Sequence, residues 1–244
     1  MFGAPPREAL RTELMDRLDA APAELDRSLV DIARLNRLGA IRTILRHIAP
    51  FFDRHAPGRT LRVLDVGTGA ADVPLALARW ARRRGYRVAI VALERHPTVL
   101  RHAARAVNGT SEVRVVAGDA LALPIRPGAV DVALCSLVLH HLPEEAVVAL
   151  LGRLGELVRL GFVVSDFRRG RVAWAAVWLA THVVSRNRLT RHDGPLSVRR
   201  AYTPTELAHL AARARLPDLR WYRAVAFRQV GVWTRPAAGA HDAG

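Results

Sequence analysis

The stretch Val63-Leu-Asp-Val-Gly-Thr-Gly-Ala-Ala-Asp-Val-Pro74 constrains this chain most. The apolar run from Leu61 to Val66 predicts a buried strand. It breaks at Gly67-Thr68-Gly69 and resumes as a helix-forming segment from Val73 to Arg83. A strand, a glycine turn and a helix make the first half of a nucleotide-binding βαβ unit. The glycines there let backbone approach a ligand that a Cβ would push away. Asp65 falls at the carboxyl end of the strand. Asp72 stands where the dinucleotide fingerprint Gly-x-Gly-x-x-Gly would need its third glycine, so this is a different turn.

The rest of the chain supplies partners for that unit. Strands are expected at Arg87 to Leu93, Glu112 to Val116, Val130 to Cys135 and Gly161 to Ser165. Helices are expected at Thr98 to Val107 and Glu144 to Leu157. The alternation implies a parallel sheet with helices on both faces. Before it, residues 1–57 read as a helical cap: a short helix within Glu8 to Leu18, then an amphipathic helix from Pro22, interrupted near Gly39 and ending before Pro50. After strand five, residues 168–200 read as an insertion, with a hydrophobic helix at Val172 to Val184 and a polar loop at Arg188 to Arg199. Thr203-Pro204 starts a last helix, with Thr203 as N-cap. Leu219 to Val225 and Ala226 to Thr234 predict a closing antiparallel hairpin. The main domain thus covers 58–234, and residues 235–244 read as a disordered tail.

The formal charge of +15 invites a polyanion partner. All 37 basic residues are arginine, spread along the chain among apolar residues, so a solvated surface is the simpler reading and nucleic acid an unfavoured partner. One cysteine, Cys135, excludes an internal disulfide and a cysteine-based zinc cluster. No apolar run reaches the roughly 20 residues of a membrane span. A cytoplasmic protein with at most peripheral membrane contact is expected, as a monomer or a homodimer.

Polar residues recur where an open α/β sheet binds its ligands, at the carboxyl ends of successive strands. They are Asp65 with Gly67, Thr68 and Gly69; Glu94 with Arg95; Asp119 with Ala120; and Cys135-Ser136. Glu94 is placed to accept hydrogen bonds from two ribose hydroxyls, Arg95 to stack on a base, and Asp119 to accept from an exocyclic amine. The same residues are ordinary strand-end carboxylates if read one at a time.

Asp65-x-Gly67-x-Gly69 resembles the first motif of the class I S-adenosylmethionine-dependent methyltransferases. Asp131-Val-Ala-Leu-Cys-Ser-Leu-Val-Leu-His-His-Leu-Pro143 resembles the fourth-strand motif of their small-molecule members, and the likeness covers most of residues 60–166. It implies a Rossmann-like seven-stranded sheet, five parallel strands plus the terminal hairpin, with S-adenosylmethionine as cofactor held by the strand-end residues named above. The Asn/Asp-Pro-Pro-aromatic sequence of amino-methylating nucleic-acid enzymes is missing. The implied activity is O-methylation of a small hydrophobic phenolic, quinone-like or polyketide-type acceptor of secondary metabolism. The alternatives are C- or N-methylation, RNA included, and a non-catalytic cofactor-binding partner subunit.

Histidine is the usual base near neutral pH. His140 lies where plant-type O-methyltransferases place theirs. His141 follows and on a helix would point about 100° away, so one of the two is expected to face the acceptor. His192 beside Asp193 is a second candidate for catalysis or acceptor binding, against a plain Asp-Gly-Pro turn. Asp166 ends strand five at the site mouth. Trp174 and Trp178 give the inserted helix an apolar face that can cover the acceptor, or a core face. No metal ligand set stands out in the spacing.

Overall fold

The computed structural model describes residues 4–236, apart from residues 10, 57 and 124. The sequence-predicted tail at 235–244 lies almost wholly outside the described residues. Seven strands form one sheet in the order β3-β2-β1-β4-β5-β7-β6. They are β1 (Leu61–Val66), β2 (Val88–Glu94), β3 (Val113–Ala117), β4 (Val130–Ser136), β5 (Val158–Phe167), β6 (Arg220–Arg223) and β7 (Arg228–Thr234). β1 to β5 run parallel, and β7 inserts antiparallel between β5 and β6. The strand order reverses beside β1, with β2 on one side and β4 on the other, which opens a crevice at the carboxyl ends.

Helices cover both faces. α2 (Ala40–Asp53) and α3 (Asp72–Arg83) bury Ile44, Ile48, Phe51, Leu77 and Trp80 against one face. α5 (Glu144–Leu157) and α8 (Pro204–Arg213) bury Leu150, Leu154, Leu207 and Leu210 against the other. The α8 start carries a full capping box: Thr203 Oγ1 accepts from Glu206 N, and the Glu206 carboxylate accepts from Thr203 N. α4 (Pro97–Ala106) lies between β2 and β3.

Over the strand ends sits a cap of α1 (Pro22–Arg37), α6 (Arg171–Val184) and α7 (Arg188–Arg200). Its own core is small: Leu25, Leu29 and Leu189 with Ala70 and Val99. Each fully buried leucine contributes about 1.5–3 kcal/mol, so this cluster holds the cap far less firmly than the two sheet cores hold the sheet. Low-stability elements of that kind are the ones that open for ligands.

Three expectations need correction. The polar segment from Arg188 to Arg199 is helix, not loop. Asn187 caps it by accepting from Leu189 N, and burial of Leu189, Leu196 and Val198 outweighs the breaking tendency of Asp-Gly-Pro. Gly194 is what α7 needs to touch α6, because a Cβ there would meet Thr181 Cγ2 at 2.6 Å. α2 continues through Pro50 to Asp53, since Phe51 and Phe52 are buried. Among the described residues between Glu8 and Leu18 the one helical element is a single 3-10 turn, Leu14–Asp16, and the segment forms an irregular strap.

Candidate active site

The glycine turn after β1 adopts the conformation that only glycine takes cheaply. Gly67 and Gly69 have φ of +68° and +55°. A Cβ on Gly67 would meet Val138 Cγ2 at 2.5 Å, whereas the Cβ direction of Gly69 is open space. Across the crevice, Leu137 also adopts a left-handed φ of +59° and is pinned by donating its N–H to Ser165 O. A non-glycine residue held there stores strain of the kind that collects at ligand clamps.

Two neighbouring cavities meet at this turn and share Met15, Gly67, Gly69, Leu137 and His141 as wall. The first is lined by Glu94, Arg95, Gly118, Asp119 and Ala120. Glu94 Oε2 accepts from Gly69 N at 3.1 Å, and Oε1 accepts from Arg95 N and His96 N at 2.9 Å each. The carboxylate therefore ties the glycine turn to the β2 end. Asp119 Oδ1 accepts from Leu121 N, which fixes its loop.

The second cavity is lined by Asp65, Thr68, Ser136 and His140 with an apolar wall of Leu29, Ile32, Leu35, Val73, Phe167 and Val177. Asp65 is 2% exposed, and its Oδ2, like Ser136 Oγ, is buried without a hydrogen-bond partner. Burial, reinforced by Asp72 and Glu94, pushes the Asp65 carboxyl up to about 7. A buried carboxylate with an unpartnered oxygen on a cavity wall is suited to a cation.

His140 and His141 lie on a 3-10 turn, Leu139–His141, with ring centroids 4.1 Å apart. Both line the cavity. His140 is bonded through Nδ1 to Asp166 Oδ1 at 2.7 Å, and Asp166 Oδ2 accepts from His140 N. Burial alone would raise the Asp166 carboxyl, yet His140 and two backbone donors hold it below the usual range. His141 is bonded through Nδ1 to Asp16 at 2.8 Å. Burial opposes its charge, but Glu13 and Asp16 outweigh burial and raise it to about 9. The Nε2 atoms of the two rings approach the buried Glu13 carboxylate at 3.5 and 3.9 Å. Burial raises the Glu13 carboxyl. Among the described residues these three bring metal-binding atom types together, although no metal was expected from the spacing.

Glu13 and Asp16 belong to the strap, and the strap is tied down along its length. Asp193 accepts from Leu14 N and Met15 N at 2.8 and 2.9 Å. Ser197 donates to Glu13 at 2.8 Å. Arg200 donates to the carbonyls of Arg11, His140 and His141, which joins strap and histidine turn through one guanidinium.

All nine sequence-predicted cofactor residues line one cavity or the other, as do His140 and His141. Asp166 lies behind His140 rather than on the wall. Trp174, Trp178 and His192 line neither. On α6 the residues turned to the cavity are Val177 and Thr181. Trp174 lies under the Arg199 guanidinium, Trp178 stacks on His182, and Leu179 and Val183 face outward. His192 is bonded to Asp193 at 2.7 Å, and it is Asp193 that reaches the wall. Glu13, Asp16, Asn36, Leu137 and Arg228 were missed. Their local sequence carries no motif, and only the tertiary fold brings them to the strand ends.

The segment 63–161 matches the family of methyltransferase domains. The matched segment runs from β1 into β5. Its fold is shared with human N-acetylserotonin methyltransferase in complex with S-adenosylmethionine, at TM-score 0.64 and 17% identity, covering 89% of this chain and 57% of that one. It is also shared with an S-adenosylmethionine-dependent methyltransferase from Aquifex aeolicus, at TM-score 0.60 and 18% identity, covering 88% and 98%. A third similar structure is magnesium protoporphyrin IX methyltransferase from Synechocystis PCC 6803 with bound S-adenosylhomocysteine, at TM-score 0.55 and 15% identity, covering 85% and 84%. The chain thus spans little more than half the length of the human enzyme. No curated protein sequence matches it. The residues of the site fit S-adenosylmethionine on their own terms. The orphaned Asp65 carboxylate suits an ammonium, the open Cβ direction of Gly69 leaves room for a ligand, and Glu94 and Asp119 stand at the second and third strand ends. No helix among the described residues is long and apolar enough to cross a membrane.

Proposed function

We propose that this chain is an S-adenosylmethionine-dependent O-methyltransferase acting on a small, largely apolar acceptor with a phenolic, quinone-like or polyketide-type hydroxyl. One observation carries the reading: an imidazole backed by a buried carboxylate, His140 with Asp166, stands on the wall of an apolar cavity that adjoins the glycine turn. Bound there, S-adenosylmethionine supplies an electrophilic methyl group. Asp65, Glu94 and Asp119 hold the cofactor, and the walls from α1 and α6 exclude water and orient the acceptor, which supplies much of the rate. His140 keeps its Nδ1 proton on Asp166 and takes the acceptor's proton at Nε2. His141, raised to about 9, already carries its proton at neutral pH and is unsuited to that role.

The test is turnover of S-adenosylmethionine with a panel of phenols. His140→Ala is expected to lower kcat by about 10²–10⁴-fold with little change in cofactor affinity. Wild-type protein that binds neither S-adenosylmethionine nor its demethylated product in a calorimeter sinks the proposal.

A further inference from the structure

Arg228 opens β7 from beneath the acceptor cavity, and the residue is 5% exposed. Its Nη2 donates to Asn36 Oδ1 at 2.5 Å, and its Cζ stands 5.1 Å from the Phe167 ring centre. Its Nη1 is buried with no hydrogen-bond partner. A buried guanidinium is ordinarily matched by a carboxylate that takes its donors in a fork. The nearby carboxylates are engaged elsewhere: Asp72 accepts from Asn36 Nδ2 at 2.8 Å, and Asp166 is bonded to His140. Burial lowers Arg228 to about 10, which leaves it charged at neutral pH.

Phe167 links this cation to the histidine centre. Its ring lies 6.0 Å from the His140 ring and 5.1 Å from the Arg228 Cζ, and all three residues line the same cavity. A flat molecule against Phe167 can place a hydroxyl at His140 and a second group at Arg228. We propose that Arg228 anchors a carboxylate of the methyl acceptor, so that the acceptor is an aromatic hydroxy acid rather than a neutral phenol. The inference rests on the O-methyltransferase reading and names its substrate class. The other source of a carboxylate in this cavity is the cofactor's amino-acid end, and the experiment separates the two.

The measurement is calorimetry on the full chain saturated with S-adenosylhomocysteine, using 4-hydroxybenzoate against the matched neutral probe 4-hydroxybenzyl alcohol. The benzoate is expected to bind at least about tenfold more tightly, the worth of one charge-assisted hydrogen bond. Arg228→Gln is expected to erase that preference while leaving affinity for S-adenosylhomocysteine and for 5′-methylthioadenosine, which lacks the amino-acid end, within about twofold. Should Arg228→Gln not fold, Arg228→Lys keeps the charge and is expected to retain a reduced preference. Equal binding of the two probes by wild-type protein overturns the inference. So does an Arg228→Gln loss confined to S-adenosylhomocysteine with 5′-methylthioadenosine unaffected, because the anchored carboxylate is then the cofactor's own. Failure of wild-type protein to bind S-adenosylhomocysteine at all strikes the broader reading instead.

Discussion

His140 and Asp166 are joined twice, ring Nδ1 to one carboxylate oxygen at 2.7 Å and backbone N–H to the other at 3.1 Å. The double attachment sets the orientation of the ring, with Nε2 on the side of the cavity and the Glu13 carboxylate. Asp166→Asn keeps the size and removes the charge. It is expected to lower kcat by roughly a hundredfold and to leave KM for the cofactor unchanged. A kcat within about twofold of wild type counts against the pairing.

If Asp65 faces the ammonium of the cofactor, as proposed, binding is proton-linked. In the free protein its carboxyl lies near 7, chiefly through burial. A bound ammonium favours the ionised form and pulls that value down. Binding of S-adenosylhomocysteine near pH 6.5 is therefore expected to release part of a proton, and affinity to rise as pH increases through about 7. Calorimetry in buffers of different ionisation enthalpy measures the release directly. Asp65→Asn is expected to bind more weakly and to release none.

The strap over the site is held by charge on His141. A histidine raised from 6.5 to about 9 contributes stability that is fully present below about pH 6.5 and lost as pH rises through 9. Amide exchange at residues 13–16, corrected for the intrinsic rate, is expected to accelerate between pH 7.5 and about 9.5. His141→Gln is expected to exchange fast across the whole range. Protection of wild-type protein that is flat through pH 9 removes His141 as the latch.

Gly67 and Gly69 separate stability from ligand accommodation. Gly67→Ala must push Val138 aside and is expected to cost about 1–3 kcal/mol in chemical denaturation, as overpacking does. Gly69→Ala meets nothing within 4 Å, so it pays only the left-handed backbone penalty of about 1–2 kcal/mol. Its added methyl points into ligand space, and loss of S-adenosylhomocysteine affinity is expected to exceed the loss of stability.

The sheet was readable because its determinants are local. Four apolar residues among the six before the Gly-x-Gly turn produce β1, and α5 spans Glu144–Leu157 as the sequence predicts. Thr203 with Glu206 encodes its own cap. The cap over the strand ends was less readable because its determinants are distant. Asp193-Gly194-Pro195 reads as a turn until Gly194 is seen to let α7 approach Thr181. Trp174 and Trp178 look like cavity residues by size, but helix geometry gives the cavity to Val177 and Thr181, one step around the cylinder. Glu13 and Arg228 reach the site from opposite ends of the chain, a pairing that neither periodicity nor spacing can register.

Met15 and His141 are walls of both cavities, so the strap has one set of positions to offer two ligands. Any coupling between the two places would pass through that shared wall. Whatever factor by which occupancy beside Glu94 tightens occupancy beside Phe167, the reverse effect must equal it. Of that shared wall, Met15 comes from the strap, and Gly67, Gly69, Leu137 and His141 come from the turns at the strand ends.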